Sequence, residues 1–462
     1  MAMSPAKRSL LMISAGGSFQ APFMVSALTV AIPTIGVEFK MDAVAMSWLA
    51  TVFFLAASMF LIPFGRLADI FGVKKIFSIG IGIYFVSGLL AALAPNAVVL
   101  IFARFVTGLG AAMIFGTSFA LLSLSLSERE RGEALGLNIA ANLTGFALGF
   151  FLGGLLTYYL SWRFIFFSIL PMSALVLVLI RLRLPGECAF SKGQKFDIVG
   201  SAMIAGLLFL IIRGLSELPS LRGGFLIIGG IVVLLLFILW QSKINQPVLD
   251  LSLFRNNRCF SLSNAAIMIY TTSTLAVIFL FSFYLQYIKG FDSRSAGLIL
   301  LAPTLIMAAL AIHVGRLSDR MNLYYLASIG IVISLIGLVL MTFISPNTPL
   351  LLAIMEIVLI FSVGGAFFYP PLVKIILGSI SRDSHSLGSS LAETMRLIGN
   401  AGSMALVTVG FILYLGGTDI TSDNYTKFLQ SMKLILAAFS VLCMISLILI
   451  RLAKRAKIHE KR

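Results

Sequence analysis

Fourteen long apolar runs dominate this sequence, and they restrict its possible folds more than any other feature. Crossing the hydrocarbon core of a bilayer takes about 20 mostly apolar residues, so each run can span a membrane as a helix. The runs fall at about 11–36, 45–65, 76–95, 98–126, 133–158, 162–181, 198–217, 223–241, 259–288, 294–315, 323–345, 349–378, 386–415 and 427–451. Only 11% of the residues are charged, whereas a soluble domain has about 25%. The sequence therefore predicts an all-α membrane protein and excludes a soluble enzyme, and we expect no enzymatic activity.

Polar, basic connectors divide the runs into groups of six, two and six. This spacing predicts an N-terminal six-helix half at 1–182 and a C-terminal six-helix half at 259–452. Between them, 183–258 would form two additional helices with their connectors, and 453–462 would form a basic cytoplasmic tail.

The distribution of lysine and arginine predicts the orientation of these helices. Basic residues concentrate in the cytoplasmic loops of membrane proteins. With both termini in the cytoplasm, 24 of the 34 basic residues fall on that side and eight fall outside, while Arg104 and Arg396 lie within helices. The net charge of +16 is therefore a topological signal of a multi-pass protein of the plasma (inner) membrane.

The expected partners follow from the same charges. Basic residues next to a membrane helix more often contact anionic lipid headgroups than nucleic acid, so we expect membrane lipid as a partner and no nucleic acid. The sequence has no nucleotide-binding glycine loop, so ATP is excluded as an energy source. Without clustered cysteine or histidine residues, we expect neither a metal nor a cofactor.

A five-residue segment recurs at equivalent places in the two predicted halves. Gly65-Arg66-Leu67-Ala68-Asp69 ends the second helix, and Gly315-Arg316-Leu317-Ser318-Asp319 ends the tenth. Repeated halves are a hallmark of secondary transporters, which bind substrate between the halves near the bilayer midplane.

The stretch from Gly65 to Lys75 resembles the signature loop of the major facilitator superfamily, and the whole chain is similar to its fourteen-helix drug:proton antiporter branch. The resemblance implies a conformational switch, with Ile70 where the family usually has arginine. The residues of this switch would be Gly65, Asp69, Gly72, Lys74, Gly315 and Asp319. The alternative is a solvated, charged turn.

Arg104 lies in a segment, Leu100 to Ala112, that is similar to the family's helix 4 motif. Charge within a membrane is a functional hypothesis by default, and the resemblance implies a part in proton transfer. The alternative is an arginine that extends to the outer headgroups.

Two further motifs resemble the branch but depart from it. Gly145, Gly149, Gly153 and Gly154 form a small-residue strip on the fifth helix, a spacing that permits close helix packing, and Phe150 replaces the proline of the family's antiporter motif. On the first helix, Met24 occupies the position of an aspartate. Proton coupling would therefore need another carboxylate.

Two acidic residues inside the predicted helices are candidates for that carboxylate. Glu393 lies near the midplane of the thirteenth helix, with Arg396 three residues later on the same face. Glu356 lies closer to the outer end of the twelfth helix. The alternatives are a permanent ion pair for Glu393 and Arg396 and an interfacial position for Glu356.

The resemblance implies that the chain exports small hydrophobic compounds by alternating access, with protons as the counter-substrate. We expect six residues at the substrate cavity. They are the substituted first-helix position, Met24, and the polar or aromatic residues Tyr270, Tyr284, Gln286, Phe367 and Tyr369. Two other functions remain open: an uncoupled or weakly coupled exporter of a specific metabolite, and a non-transporting receptor or scaffold on a transporter fold.

Overall fold

The computed structural model describes residues 5–125, 128–184, 193–381 and 385–460. Within these ranges, fourteen helices are long and apolar enough to cross a membrane, and none of the described residues forms a strand. The predicted all-α fold with 6 + 2 + 6 helices is confirmed. The helices are α1 (Pro5–Phe39), α2 (Ala43–Phe71), α3 (Val73–Ala92), α4 (Ala97–Ser125), α5 (Glu128–Tyr159), α6 (Arg163–Arg183), α7 (Ile198–Ser216), α8 (Leu221–Gln241), α9 (Arg258–Ile288), α10 (Ser293–Leu317), α11 (Leu323–Met341), α12 (Leu350–Leu377), α13 (His385–Leu415) and α14 (Tyr425–Glu460).

Several details of these elements differ from straight helices separated by loops. A short helix, Ser252–Asn256, precedes α9, which ends in a π-helical turn at Tyr284–Ile288. A second π-helical segment, Val358–Gly364, interrupts α12. Part of the predicted connector, 185–192, and the last two residues of the predicted tail, 461–462, lie outside the described residues.

Short polar side chains set the first turns of several helices. Asp42 accepts a hydrogen bond from the backbone nitrogen of Ala45 at 2.6 Å at the start of α2. Asp292 caps α10 in the same way, through Ser295 at 2.7 Å. Such caps satisfy backbone N–H groups that have no partner within the helix.

The two six-helix groups repeat one packing order. In the N-terminal half α1 packs on α5 and α6, α3 packs on α4 and α6, and α2 packs on α4. In the C-terminal half α9 packs on α13 and α14, α11 packs on α12 and α14, and α10 packs on α12. An internal repeat produces this correspondence, and it places α4 and α12 at equivalent positions.

The central pair, α7 and α8, forms a hairpin beside the seam between the halves. α7 contacts both α2 and α13. The buried Asp197 holds the hairpin together: it caps α7 at Gly200 (2.8 Å) and accepts hydrogen bonds from Trp240 (3.1 Å) and Gln241 (2.7 Å) on α8.

Apolar side chains cover the outside of the helices. Phe225 on α8, Leu175 on α6 and Ile336 on α11 are exposed over 71%, 58% and 50% of their surfaces. Contiguous apolar surface on this scale is compatible with hydrocarbon and not with water. The fold therefore belongs in a bilayer.

Replacing Asp197 with alanine should destabilise the α7–α8 hairpin, because the donors of Trp240 and Gln241 would lose a charged acceptor, a loss of about 2–3 kcal/mol. The midpoint of thermal unfolding of the detergent-purified protein should fall. Asp292→Ala is the matched control, because it removes an exposed cap with a typical cost of about 1 kcal/mol. Equal midpoints for the two variants would contradict the structural role of Asp197.

Candidate transport pathway

The molecule has two ends, which we call the distal and terminal faces. The distal face contains the turn at 40–42 between α1 and α2, and the terminal face contains the beginning of α1 and the end of α14. Several hydrogen bonds join described residues of the two halves toward the distal face. Ser47 on α2 and Thr408 on α13 are joined by their hydroxyl groups at 2.8 Å.

The contact between α1 and α9 continues this closure. Gln286 donates from Nε2 to the backbone carbonyl of Val30 at 3.1 Å. One turn earlier on α9, Ser282 donates to the carbonyl of Thr29 at 3.2 Å. Both acceptors belong to the backbone of α1, so the two helices lie directly against each other.

The glycine strip on α5 packs against two different helices. A Cβ atom at Gly145, Gly149 or Gly153 would lie within 2.5 Å of an atom of α1. A Cβ atom at Gly154 would instead lie 2.5 Å from the carbonyl oxygen of Ser293 on α10, in the other half. The first three glycines therefore pack within the N-terminal half, and the fourth forms part of the seam between the halves.

At the terminal face, the two glycines of the repeated segment, Gly65 and Gly315, lie beside open space. A Cβ atom at Gly65 on α2 or at Gly315 on α10 would have no heavy atom within 4 Å. Gly116 on α4 does approach the backbone of Gly65, since its Cβ atom would lie 3.4 Å from the Gly65 nitrogen. The contacts between the halves described above lie toward the distal face, whereas Gly65 and Gly315 lie beside open space.

A narrow cavity lies between the halves, with a volume of about 20 Å³. Its wall comes from both halves and is mostly apolar: Val25, Leu28, Thr29, Ile32, Ala50, Phe54, Arg104, Phe146, Leu275, Ile278, Phe279 and Met404. This is room for a water-sized group, whereas a drug-sized molecule needs at least about 300 Å³. The cavity is therefore too small for a drug-sized molecule in this conformation.

Arg104 on α4 is the charged residue among those that line the cavity, and only 1% of its surface is exposed. Its Nε donates to the backbone carbonyl of Leu49 at 3.3 Å, and its guanidinium carbon lies 4.6 Å from the centre of the Phe53 ring. Its Nη1 has no hydrogen-bond partner among the described residues, and no described carboxylate forms an ion pair with it. Arg104 is therefore a buried cation that does not extend to the protein surface.

Close packing of α4 accounts for the depth of Arg104. One turn later, a Cβ atom at Gly108 would lie 2.6 Å from the carbonyl oxygen of Phe53 on α2. A Cβ atom at Gly110 would lie 2.9 Å from the carbonyl oxygen of Gly80 on α3. These two glycines let α4 sit between α2 and α3, which places its arginine in the interior.

The sequence and the fold both match known transporters. A family model described as the Major Facilitator Superfamily matches residues 15–404, and a second match covers 262–461. This chain belongs to the major facilitator superfamily. The family and the fold are those of membrane transporters rather than enzymes, and the chain is a multi-pass membrane protein.

Individual relatives in this superfamily differ in what they carry. The riboflavin transporter RibZ of Clostridioides difficile (strain 630) is 28% identical over 402 residues, which is 87% of each chain. The multidrug resistance protein Stp of Mycobacterium tuberculosis (strain CDC 1551 / Oshkosh) is 27% identical over 399 residues, 85% of this chain and 73% of Stp. A bacterial homologue of the human lysosomal transporter Spinster, solved in an inward-facing and unoccupied conformation, shares the fold with a TM-score of 0.71 at 16% identity, over 98% of both chains.

Glu393 and Arg396 on α13 form an ion pair. Arg396 donates from Nε to one carboxylate oxygen of Glu393 at 2.8 Å, and from an Nη to the other. α13 begins at His385, eight residues before Glu393, so the carboxylate lies about 12 Å along the helix. Both side chains are partly exposed, at 21% for Glu393 and 31% for Arg396. The pair is therefore not fully enclosed by protein, although it lies deep in the fold.

Glu356 on α12 is separate from this pair. Its Oε2 is buried without a hydrogen-bond partner among the described residues. The nearby Tyr284 hydroxyl donates instead to the carbonyl of Ser345 at 2.8 Å, toward the distal face. Glu356 does not line the cavity that contains Arg104.

The residues of the predicted switch occupy different environments. Gly72 has a φ of 112°, a conformation that favours glycine, at the junction of α2 and α3. Lys74 donates to the backbone carbonyl of Leu184 at the end of α6, within its own half. Asp319 pairs with Lys374 on α12 at 2.7 Å, while Asp69 on α2 lies near the guanidinium of Arg66.

None of the six residues predicted for the substrate cavity lines the narrow cavity. Met24 and Tyr270 are buried, and Tyr270 stacks on Phe368 with its hydroxyl 2.8 Å from Ser334. Tyr369 lies close to the Glu393–Arg396 pair, and Phe367 is half-buried on α12. Tyr284 and Gln286 form hydrogen bonds toward the distal face, as described above.

Apart from Thr29, the lining residues that the sequence analysis missed are apolar. On α1 they recur at 25, 28, 29 and 32, and on α9 at 275, 278 and 279. This spacing marks one face of a helix. However, helices buried in a membrane are apolar on every side, so the spacing alone cannot distinguish a cavity-facing side from a packed one.

Replacing Gly149 with alanine should disrupt the contact between α5 and α1, because the new methyl group would lie 1.9 Å from the Ser26 hydroxyl. We expect a loss of about 1–3 kcal/mol from overpacking, seen as a lower midpoint of thermal unfolding. Gly206→Ala on α7 is the control, since its Cβ atom would meet nothing within 4 Å and alanine favours a helix by about 1 kcal/mol. If both variants unfold at the same midpoint, the glycine strip is not a close-packing seam.

Proposed function

We propose that this chain exports small hydrophobic compounds across the plasma membrane by alternating access, driven by protons that flow in the opposite direction. The observation that carries the proposal is the asymmetry of the seam: hydrogen bonds join the halves toward the distal face, whereas Gly65 and Gly315 at the terminal face lie beside open space. A pathway lined by both halves and closed at one end is what a rocking transporter needs. The name of the relative Stp supports drug efflux as the class of activity.

We assign the distal face to the outside and the terminal face, with both chain termini, to the cytoplasm. The excess of lysine and arginine on that side supports this orientation. In it, the conformation described above is inward-facing, so substrate would enter from the cytoplasm. The inward-facing relative with the same fold supports this interpretation.

We propose that Gly65 and Gly315 act in the opposite conformation. The space beside each glycine would be filled when the halves close at the cytoplasmic face. Asp69 and Asp319 lie four residues further along each copy of the repeat. The ion pairs of these two aspartates would then change between the two conformations, and the Lys374–Asp319 pair would be one of those that change. Lys74, two residues after Gly72, would keep its hydrogen bond to the backbone in both conformations.

We propose Glu393 as the group that carries the proton. Its carboxylate is deep, partly exposed and paired with Arg396. Protonation would break this ion pair within α13 and leave the charge of Arg396 unpaired in a helix that packs on α2 across the seam. Arg104 and Glu356 are secondary candidates, because each has a buried polar atom without a described partner.

Uncoupled export of a specific metabolite is the second candidate, and two substitutions favour it. Met24 replaces the aspartate, and Phe150 replaces the proline, of the motifs that the antiporter branch carries. The name of the relative RibZ also supports a defined metabolite as cargo. A receptor or scaffold is not favoured, because the described connectors between helices are short.

Replacing Glu393 with glutamine should abolish the dependence of transport on the pH gradient, because glutamine cannot take up a proton. The measurement is uptake of the dye Hoechst 33342 into everted membrane vesicles, with and without nigericin to collapse the gradient. Wild-type uptake should fall several-fold with nigericin, whereas uptake by Glu393→Gln should be low or unchanged by it.

Glu217→Gln is the matched control, since Glu217 is also ion-paired, with Arg213 at 2.6 Å, but lies at the end of α7. Full gradient dependence in Glu393→Gln would rule out Glu393 as the coupling group. Wild-type transport that ignores nigericin would favour the uncoupled exporter.

Replacing Gly65 with leucine should permit folding but block transport, because the side chain fits the open terminal face and obstructs its closure. Vesicle uptake should fall at least tenfold while the midpoint of thermal unfolding stays within a few degrees. Gly224→Leu on α8 is the control, because its Cβ atom also meets nothing within 4 Å and α8 packs on α7 rather than on the seam. Wild-type uptake by Gly65→Leu would contradict the switch.

A further inference from the structure

We propose that the exported molecule carries an anionic group, such as a carboxylate, sulfonate or phosphate, and that Arg104 binds this group. The inference rests on the proposed export function and specifies the class of substrate that the pathway accepts.

The hydrogen-bonding groups of Arg104 are the first argument. A guanidinium has five N–H donors, yet the described residues offer it one hydrogen bond, from Nε to the carbonyl of Leu49. Nη1 is buried and unpartnered. A buried cation is stable only when its charge and donors are matched, so an acceptor is missing from this site.

The charge of the surroundings is the second argument. The residues that line the cavity with Arg104 include no acidic side chain. Glu393, the deep carboxylate on α13, already receives two hydrogen bonds from Arg396. Tyr84, the other polar neighbour of Arg104, donates its hydroxyl hydrogen to the carbonyl of Gln20 at 3.3 Å. The site therefore keeps a net positive charge that the protein itself does not neutralise.

The shape of the site indicates the kind of anion. The cavity has room for a water-sized group, so one oxygen atom at the end of an anionic ligand fits beside Arg104, and its walls are aliphatic and aromatic, including Phe54, Phe146 and Phe279. An amphipathic anion would place its charged end against Arg104. Its apolar body would extend along the pathway toward the terminal face. Such a ligand would satisfy both the unpartnered donor and the apolar wall.

An anionic substrate also agrees with the substitution at Met24. The membrane potential, negative inside, favours the exit of an anion and so adds to the driving force of the proton gradient. An aspartate at that position would bring a competing negative charge into the N-terminal half. Methionine avoids this competition, and Met24 is fully enclosed in the core of that half.

The test compares two dyes that share a xanthene ring system and differ in charge, fluorescein (anionic) and rhodamine 123 (cationic). Their affinities for the full-length protein in lipid nanodiscs are measured by fluorescence anisotropy at pH 8. We expect wild type to prefer fluorescein, and Arg104→Gln to weaken fluorescein binding about tenfold or more through loss of a charge-assisted hydrogen bond. Arg104→Lys should retain part of the preference.

A second pair of variants tests the charge of the cavity without touching Arg104. Thr29 lines the same cavity, so Thr29→Asp would supply the missing carboxylate and Thr29→Asn would have the same shape without charge. We expect Thr29→Asp to bind fluorescein at least tenfold more weakly than Thr29→Asn, and to bind rhodamine 123 more tightly than Thr29→Asn, because the two variants differ in charge and not in shape. If Arg104→Gln does not fold, this pair decides the question.

The proposal is overturned if wild type shows no preference for fluorescein, or if Thr29→Asp and Thr29→Asn bind both dyes equally. The binding assay needs no gradient, so its outcome is independent of the export mechanism. Selective binding of fluorescein without its uptake into everted vesicles would support Arg104 as an anion site and contradict export. Uptake of rhodamine 123 without fluorescein binding would support export and overturn the anion site.

Discussion

Polar groups inside a bilayer must find their partners within the protein, because hydrocarbon offers no hydrogen bonds, and the rest of this structure depends on that requirement. It explains why every described span is a helix, since a helix satisfies its own backbone. It also explains why buried hydroxyl groups such as Thr51 and Thr107 donate to carbonyls one turn earlier on their own helices. Arg104 stands out against this background, because its donors are only partly matched.

Backbone contact between helices is the second organising feature, and it is distributed unequally. Gly154 on α5 and Gly297 on α10 bring the two halves into backbone contact at the distal face. Gly65 and Gly315, at the terminal face, have equivalent positions in the repeat, but a Cβ atom at either would meet nothing within 4 Å. In the proposed alternating-access cycle, the first set of small residues would hold this conformation and the second would close the other face.

The charged residues within single helices could be located from the sequence, because charged residues are rare in the apolar runs. Arg104, Glu356, Glu393 and Arg396 were recognisable as exceptions within apolar runs, and the i, i+3 spacing of Glu393 and Arg396 predicted a shared face, on which the structure shows an ion pair. The cavity wall could not be predicted in this way. Its residues, such as Val25 and Leu275, are apolar in helices that are apolar all round, so no local contrast separates them from packing or lipid-facing residues.

The sequence by itself determined the all-α membrane fold, the number of helices and the division into two repeated halves, because each depends on local hydrophobicity and on motifs a few residues long. Only the tertiary structure decided which face is closed, which glycines are in contact and which side chains meet at the cavity. It also decided that Tyr284 and Gln286 belong to the contacts near the distal face rather than to the narrow cavity. These properties depend on how α1, α2 and α5 meet α9, α10 and α13, in contacts between residues more than 100 positions apart. No local pattern in the sequence encodes the relative position of the two halves.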